Sequence, residues 1–149
     1  MLMIVAMIAL AISPLMLTVA LHYEALSLLS KMMQNTRMQS HPKLLVAVFG
    51  VVAAHLLEIL IYAISYWIAD VGLNLGDFGG NRAVTFFDYL FFSAETFSTL
   101  GMGDIYPLGV IRLIASLESL NGIVLIGWST SFTFLAMSRY WHLQASDRD

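Results

Sequence analysis

Three segments of this chain are long and apolar enough to cross a lipid bilayer. They comprise residues 1–21, 44–69 and 108–137. A helix needs about 20 apolar residues to cross the hydrocarbon layer, because each residue adds about 1.5 Å along its axis. The composition agrees, with 59% hydrophobic and 11% charged residues and a mean hydropathy of +0.80. We therefore predict an all-α membrane protein with three spanning helices.

A fourth apolar segment, residues 84–97, is too short to span a membrane. Short apolar segments at membrane depth are usually re-entrant or interfacial. This one follows residues 71–81, which are rich in glycine and asparagine and predict an exposed loop. We interpret residues 84–97 as a re-entrant pore helix.

A Thr-x-Gly-x-Gly-Asp motif, Thr99 to Asp104, comes directly after the predicted pore helix. Glycines at alternate positions can take positive φ, which turns successive carbonyl groups toward one line. Such carbonyls, with a threonine hydroxyl, can replace the hydration shell of a monovalent cation. The segment predicted to coordinate K⁺ comprises Thr99, Leu100, Gly101, Met102 and Gly103. Because one chain supplies one wall of such a cage, a symmetric oligomer is expected, and for this type of filter a homotetramer around a shared pore.

Residues 44–140, and most closely the run 93–107, resemble the pore domain of two-transmembrane potassium channels of bacteria. The resemblance implies an outer helix, a pore helix, a filter loop and an inner helix. It also implies that Glu95 and Asp104 support the filter by sharing a proton or a water, and that Gly122 is the gating hinge. The inner-helix residues that it places along the cavity are Ser119, Ile123, Ile126 and Thr130.

The filter departs from that family at Met102, where the family usually carries tyrosine or phenylalanine. Ion coordination uses backbone carbonyls and tolerates this change. A flexible thioether specifies its surroundings less firmly than an aromatic ring does. Besides a potassium-selective channel, two alternatives stay open: a weakly selective monovalent cation channel and a non-conducting membrane scaffold subunit.

Four polar residues fall within the predicted spans at similar depth: His55, Glu58, Glu118 and Asn121. Ionisable residues inside a membrane are costly and usually face protein or water. We therefore predict one polar cluster between the outer and inner helices. It can serve as an interhelical clamp or as a proton sensor, since histidine titrates near neutral pH. A metal site on His55 and Glu58, which share a helix face at i, i+3, is a third possibility.

The distribution of basic residues predicts the orientation. Positive residues concentrate in the loop 22–43 and near the C-terminus: Lys31, Arg37, Lys43, Arg139 and Arg148. The glycine-rich loop and its flanks carry Asp70, Asp77 and Arg82. By the positive-inside rule the C-terminus faces the cytoplasm and the N-terminus lies outside, in the inner membrane of a cell. The first segment has no basic region before it, so we interpret it as an uncleaved helix and not a signal peptide.

These boundaries divide the chain into an N-terminal helix and cytoplasmic loop (1–43), a pore domain (44–141) and a short tail (142–149). The motifs of serine hydrolases, metalloenzymes and dinucleotide-binding enzymes do not occur, so we expect no enzyme and no organic cofactor. The expected partners are membrane lipid, monovalent cations and copies of the same chain, without nucleic acid. The aromatic residues predicted to form the outer interfacial belt are Tyr62, Tyr66, Trp67 and Tyr106.

Overall fold

The computed structural model describes residues 2–35, 40–80 and 85–146. Its elements are α1 (Leu2–Asn35), α2 (Ser40–Trp67) with a π-helical turn (Ile68–Gly72), β1 (Gly76–Gly80), α3 (Phe86–Phe97), β2 (Ile105–Gly109) and α4 (Ile111–Ser146). Three segments are long and apolar enough to cross a membrane: Met7–Gln34, Pro42–Gly72 and Ile111–Arg139. The prediction of an all-α membrane protein with three spans is confirmed.

The prediction of a loop over residues 22–43 was wrong for most of its length. Helix α1 continues to Asn35, and α2 already begins at Ser40. Leu26, Leu29 and Met33 are buried at spacings of three and four residues, so one apolar face extends beyond residue 21. The lone charges in this stretch do not interrupt that face. The longer helix places His22 within a membrane-spanning segment.

A short antiparallel ribbon, β1 paired with β2, closes the pore loop. Its register runs from Gly76 opposite Gly109 to Gly80 opposite Ile105. The sequence predicted a loop over residues 71–81, because glycine is uncommon in strands. The two strands pair because the chain enters and leaves the segment that contains α3 and residues 99–104 at neighbouring positions. The ribbon therefore fixes the pore loop at its entry and its exit.

An aromatic cluster packs the pore helix against α2 and the ribbon. Phe78 contacts Tyr66, Tyr89 and Phe92 edge to face, with ring centroids 5.0 to 5.8 Å apart. The Tyr89 hydroxyl donates to Asp70 at 2.7 Å, which joins α3 to the π-helical turn. Burial raises the pKa of Tyr89, and the bond to Asp70 raises it further, so this hydroxyl stays a donor at neutral pH.

The three spanning helices meet again at the end opposite the filter. Met33 of α1, Ala47 of α2 and Ala136 of α4 form one buried cluster there. Lys31 and Arg139 belong to helix segments at this same end. The other arginines used to predict orientation, Arg37, Arg82 and Arg148, lie outside the described residues.

Candidate functional site

The segment predicted as the filter, residues 99–103, follows the C-terminal end of α3 and has an alternating backbone. Thr99, Gly101 and Gly103 have positive φ values of 59°, 59° and 77°. Positive φ at the two glycines agrees with the sequence prediction. The left-handed conformation of Thr99 was not predicted, and a β-branched residue takes it rarely. Surrounding contacts must therefore hold this segment.

Glu95 supplies those contacts from within α3. Its backbone carbonyl accepts the N–H groups of Leu100 at 2.7 Å and Gly101 at 3.3 Å. Its side-chain Oε2 accepts the N–H group of Met102. One buried residue thus binds three consecutive N–H groups of the filter, and each of these bonds is directed toward α3.

The direction of these N–H groups sets the direction of the carbonyls. In a trans peptide the C=O group of one residue points opposite to the N–H group of the next, and the described chain has no cis peptides. The carbonyl oxygens of Thr99, Leu100 and Gly101 therefore point away from Glu95, to a common side. This side of residues 99–103 is exposed in the single chain.

Helix α3 also favours a cation beside the filter. It ends at Phe97, two residues before Thr99. The C-terminus of a helix carries a partial negative charge from its unpaired carbonyl groups. A cation next to Thr99 would lie close to this negative end.

Asp104 and Glu95 have separate partners in the structure. Asp104 Oδ1 accepts the N–H group of Ile105 at 3.0 Å, whereas the Glu95 carboxylate accepts that of Met102. The resemblance implied that the two carboxyl groups share a proton or a water. In the described chain each carboxyl group accepts a backbone N–H group of its own, Glu95 from Met102 and Asp104 from Ile105, and the shared proton or water stays a prediction.

Gly122, expected as a hinge, lies in close contact with the pore helix. A Cβ atom at this position would lie 2.1 Å from the Phe97 carbonyl oxygen. One turn earlier, the Ser119 hydroxyl donates to the Thr96 carbonyl at 3.3 Å. The absence of a side chain at Gly122 thus lets α4 support the last turn of α3. The expected cavity residues Ile123, Ile126 and Thr130 are exposed on α4 in the single chain.

The four polar residues predicted as one cluster belong to three separate hydrogen-bonded groups. The first, the histidine–glutamate group, contains His22, His55, Glu58 and Ser129. Glu58 Oε1 lies 2.7 Å from His22 Nδ1, and Oε2 lies 2.7 Å from His55 Nδ1. Ser129 Oγ lies 3.2 Å from His22 Nε2 and 3.1 Å from His55 Nε2. This group joins all three spanning helices.

The second group surrounds Glu118. Its carboxyl oxygens contact the hydroxyl of Tyr66 and, at 2.6 Å, that of Ser93. The Ser93 hydroxyl also faces the Ile59 carbonyl at 2.8 Å, but it has one proton to donate. All contacts are satisfied when Glu118 is a neutral acid that donates to Ser93. The group connects the outer, pore and inner helices.

The third group surrounds Asn121. Its side-chain amide donates to Thr18 at 2.7 Å and to Tyr62 at 3.1 Å. Thr18 lies one turn after Pro14, and its hydroxyl donates to the Pro14 carbonyl at 2.8 Å. This group attaches α1 to α2 and α4 at a different depth from the histidine–glutamate group.

Sequence reasoning missed six members of these groups: Thr18, His22, Tyr62, Tyr66, Ser93 and Ser129. The sequence predicts a loop at His22 and an interfacial belt that includes the two tyrosines. Both tyrosines are fully buried, whereas Trp67 and Tyr106 are about half exposed. The signal that could have revealed these residues was a polar residue on the apolar face of each helix. Such a residue, once buried, requires a hydrogen-bonding partner.

A known protein family matches this part of the chain. A family model described as "Ion channel" matches residues 44–139, which include α3, the filter and most of α4. No curated protein and no solved structure matches the chain.

Replacing Gly122 by alanine tests the contact between α4 and α3. We expect Gly122→Ala to destabilise the protein by about 1–3 kcal/mol, the usual range for overpacking, because the Phe97 carbonyl belongs to the backbone and cannot rotate away. The measurement is the thermal unfolding midpoint in detergent. Gly127→Ala is the matched control, since a Cβ atom there meets nothing within 4 Å. Equal midpoints for the two variants would contradict the contact.

Proposed function

This chain belongs to the two-transmembrane ion channel family of the potassium-channel pore type, and on that premise we propose that it forms a homotetrameric channel. The channel conducts monovalent cations passively and prefers K⁺ over Na⁺. Its filter consists of Thr99, Leu100, Gly101, Met102 and Gly103. Glu95 and Asp104 hold the filter, and Gly122 is the pivot of the inner helix.

The observation that carries this proposal is the binding of three filter N–H groups by Glu95. It leaves the carbonyl oxygens of Thr99, Leu100 and Gly101 on one open side of the chain. Carbonyl oxygens can replace the water ligands of K⁺. The negative end of α3 beside Thr99 adds to the attraction for a cation.

The exposure of the same residues supports assembly of several copies around one axis. A single chain leaves residues 99–103 exposed and offers carbonyl oxygens on one side only. A closed ring of oxygen ligands requires copies related by rotation about one axis. Exposed α4 residues that include Ile123 and Ile126 would then line the cavity below the filter.

Met102 supports a second candidate, a weakly selective monovalent cation channel. Its side chain is 73% exposed in the single chain and has no aromatic ring to pack beside the pore helix. A filter with less lateral packing can change its diameter more easily, which would weaken discrimination between K⁺ and Na⁺.

The proposed orientation places the filter and ribbon outside the cell and the C-terminus in the cytoplasm of a cell with an inner membrane. Lys31 and Arg139 lie in helix segments at the end opposite the filter. The positive-inside rule assigns that end to the cytoplasm.

Flux through reconstituted protein tests the channel. We expect the purified chain to be tetrameric and to release K⁺ from liposomes, whereas Gly101→Val remains tetrameric and conducts at least about tenfold less. A β-branched side chain resists the positive φ of this position. Gly127→Ala controls for glycine replacement in an open place. A tetramer without flux would establish the scaffold alternative, and a dimer would overturn the proposal.

Replacing Met102 by tyrosine separates the two channel candidates. We expect Met102→Tyr to raise the permeability ratio of K⁺ to Na⁺, because an aromatic ring packs more firmly than a thioether. The measurement is the reversal potential in mixed K⁺ and Na⁺ solutions. Met102→Leu, which is also flexible and apolar, is the control. An unchanged ratio in the tyrosine variant would show that residue 102 does not limit selectivity.

Single cysteines test the orientation, because the chain has none of its own. Leu73 near the ribbon and Lys31 near the other end are both exposed. In intact spheroplasts we expect a membrane-impermeant maleimide to label Leu73→Cys but not Lys31→Cys, and lysis should allow labelling of both. The reverse pattern would show that the chain is inserted the other way.

A further inference from the structure

We propose that His22, His55 and Glu58 form a binding site for a divalent transition-metal ion of the Zn²⁺ class. The site lies between α1 and α2. It does not depend on the proposed function, because metal binding is measured without ion flux.

The side chains are those that such ions prefer. Two imidazole nitrogens and a carboxylate oxygen form a frequent ligand set for Zn²⁺, in which water or another small ligand completes the coordination. One ligand atom from each of the three residues lies within 4.8 Å of the other two. Tetrahedral Zn²⁺ with bonds of about 2.1 Å holds its ligands about 3.4 Å apart. Small side-chain rotations would therefore bring all three into coordination.

The helices already position the ligands. His55 and Glu58 are at i, i+3 on one face of α2, and His22 approaches from α1. The two imidazole rings are stacked, with centroids 5.3 Å apart, and both Nδ1 atoms lie 2.7 Å from the same carboxylate. His22 and Glu58 are fully buried, so little rotamer freedom is left to lose on binding.

A count of protons shows that the metal-free group needs one further positive charge, which a proton on either imidazole or a metal ion supplies. Its four contacts join the Nδ1 atoms to Glu58 and the Nε2 atoms to Ser129. Two neutral imidazoles, an ionised carboxylate and one hydroxyl supply three protons for these four contacts. Among the described residues, Glu58 is paired with His22 and His55, which carry a charge only if they are protonated. One added positive charge is needed to satisfy all four contacts.

A metal ion bound to the two Nδ1 atoms supplies this charge and leaves no contact without a proton or a metal. Each neutral imidazole then carries its proton on Nε2, and both protons face Ser129 Oγ, which has two lone pairs. The Ser129 hydroxyl can donate to a carbonyl of its own helix, as serine often does in helices. Ser129 thus orients both rings from behind, which is the usual arrangement around metal-bound histidines.

The site has a route of access. The His55 side chain is 18% exposed. It lines a groove between α2 and α4 together with Ser129, Ile126 and Thr130. An ion that enters through this groove reaches His55 first, and Glu58 and His22 lie behind it. Once bound, it would join α1 to the pore domain through coordinate bonds.

Binding of Co²⁺ and Zn²⁺ to the purified full-length chain tests the proposal. After removal of metal with a chelator, we expect one Co²⁺ per chain with visible ligand-field absorption, displaced by an equal amount of Zn²⁺ because Zn²⁺ binds such ligands more tightly. Glu58→Gln and His22→Gln should each weaken binding by more than about 100-fold, and Ser129→Ala by about 10-fold, as loss of a supporting partner does. Zn²⁺ should raise the thermal midpoint of the native chain but not that of Glu58→Gln.

Glu118→Gln is the matched control, because Glu118 is an equally buried glutamate outside the group. It should leave metal affinity unchanged. The other two histidines, His41 and His142, stay in every variant, so any binding to them is a constant background. Circular dichroism and gel filtration identify a variant that fails to fold, and Glu58→Gln keeps an acceptor and is the least disruptive. Native protein that binds no more metal than a His22→Gln, His55→Gln double variant would overturn the site and leave a hydrogen-bonded clamp.

Discussion

The conformation of the predicted filter, residues 99–103, depends on the hydrogen bonds that Glu95 makes to it. Thr99 has a left-handed backbone that its β-branched side chain disfavours. The N–H groups of the next three residues have acceptors on Glu95, one of them on its side chain. These bonds help to stabilise the positive φ of Thr99. The same bonds determine which way the carbonyl groups point, and therefore whether this segment can present oxygen ligands.

The position of Glu95 in turn depends on what surrounds α3. The aromatic cluster around Phe78 packs this helix against α2, and the ribbon of β1 and β2 closes the loop that contains it. On the opposite side, Gly122 lets α4 approach the Phe97 carbonyl. Apolar packing thus sets the place of the helix, and a few directed polar contacts set the conformation of the segment that follows it.

Buried polar groups attach the N-terminal helix to the pore domain. Hydrophobic attraction between helices is weak in a membrane, because lipid is as apolar as the helix surface. The histidine–glutamate group and the Asn121 group each involve α1, α2 and α4. These contacts give α1 a defined rotation and depth, which exposed leucines on its surface cannot provide. The helix is therefore part of the folded unit and not merely an anchor beside it.

Much of the fold could be predicted from local sequence. Apolar length predicts three spans, and the alternating glycines predict positive φ in the filter, since both properties depend on neighbouring residues. The extent of α1 could not be predicted from apolar length, because His22 and Glu24 interrupt the run while the buried face continues. The ribbon was also missed, since its glycines have low strand propensity and pair only when the loop closes.

The sequence by itself determined that the chain spans a membrane three times and carries one segment able to present backbone oxygens to a cation. Only the tertiary structure decided which buried polar residues are partners. Glu118 and Asn121 are three residues apart on α4, yet one contacts α3 and the other α1. Glu58 faces His22 of α1, although its depth suggested α4. The position of a residue along a helix sets its depth in the membrane. Its hydrogen-bonding partners depend on the rotation of the helix about its axis, and only packing against the other helices defines that rotation.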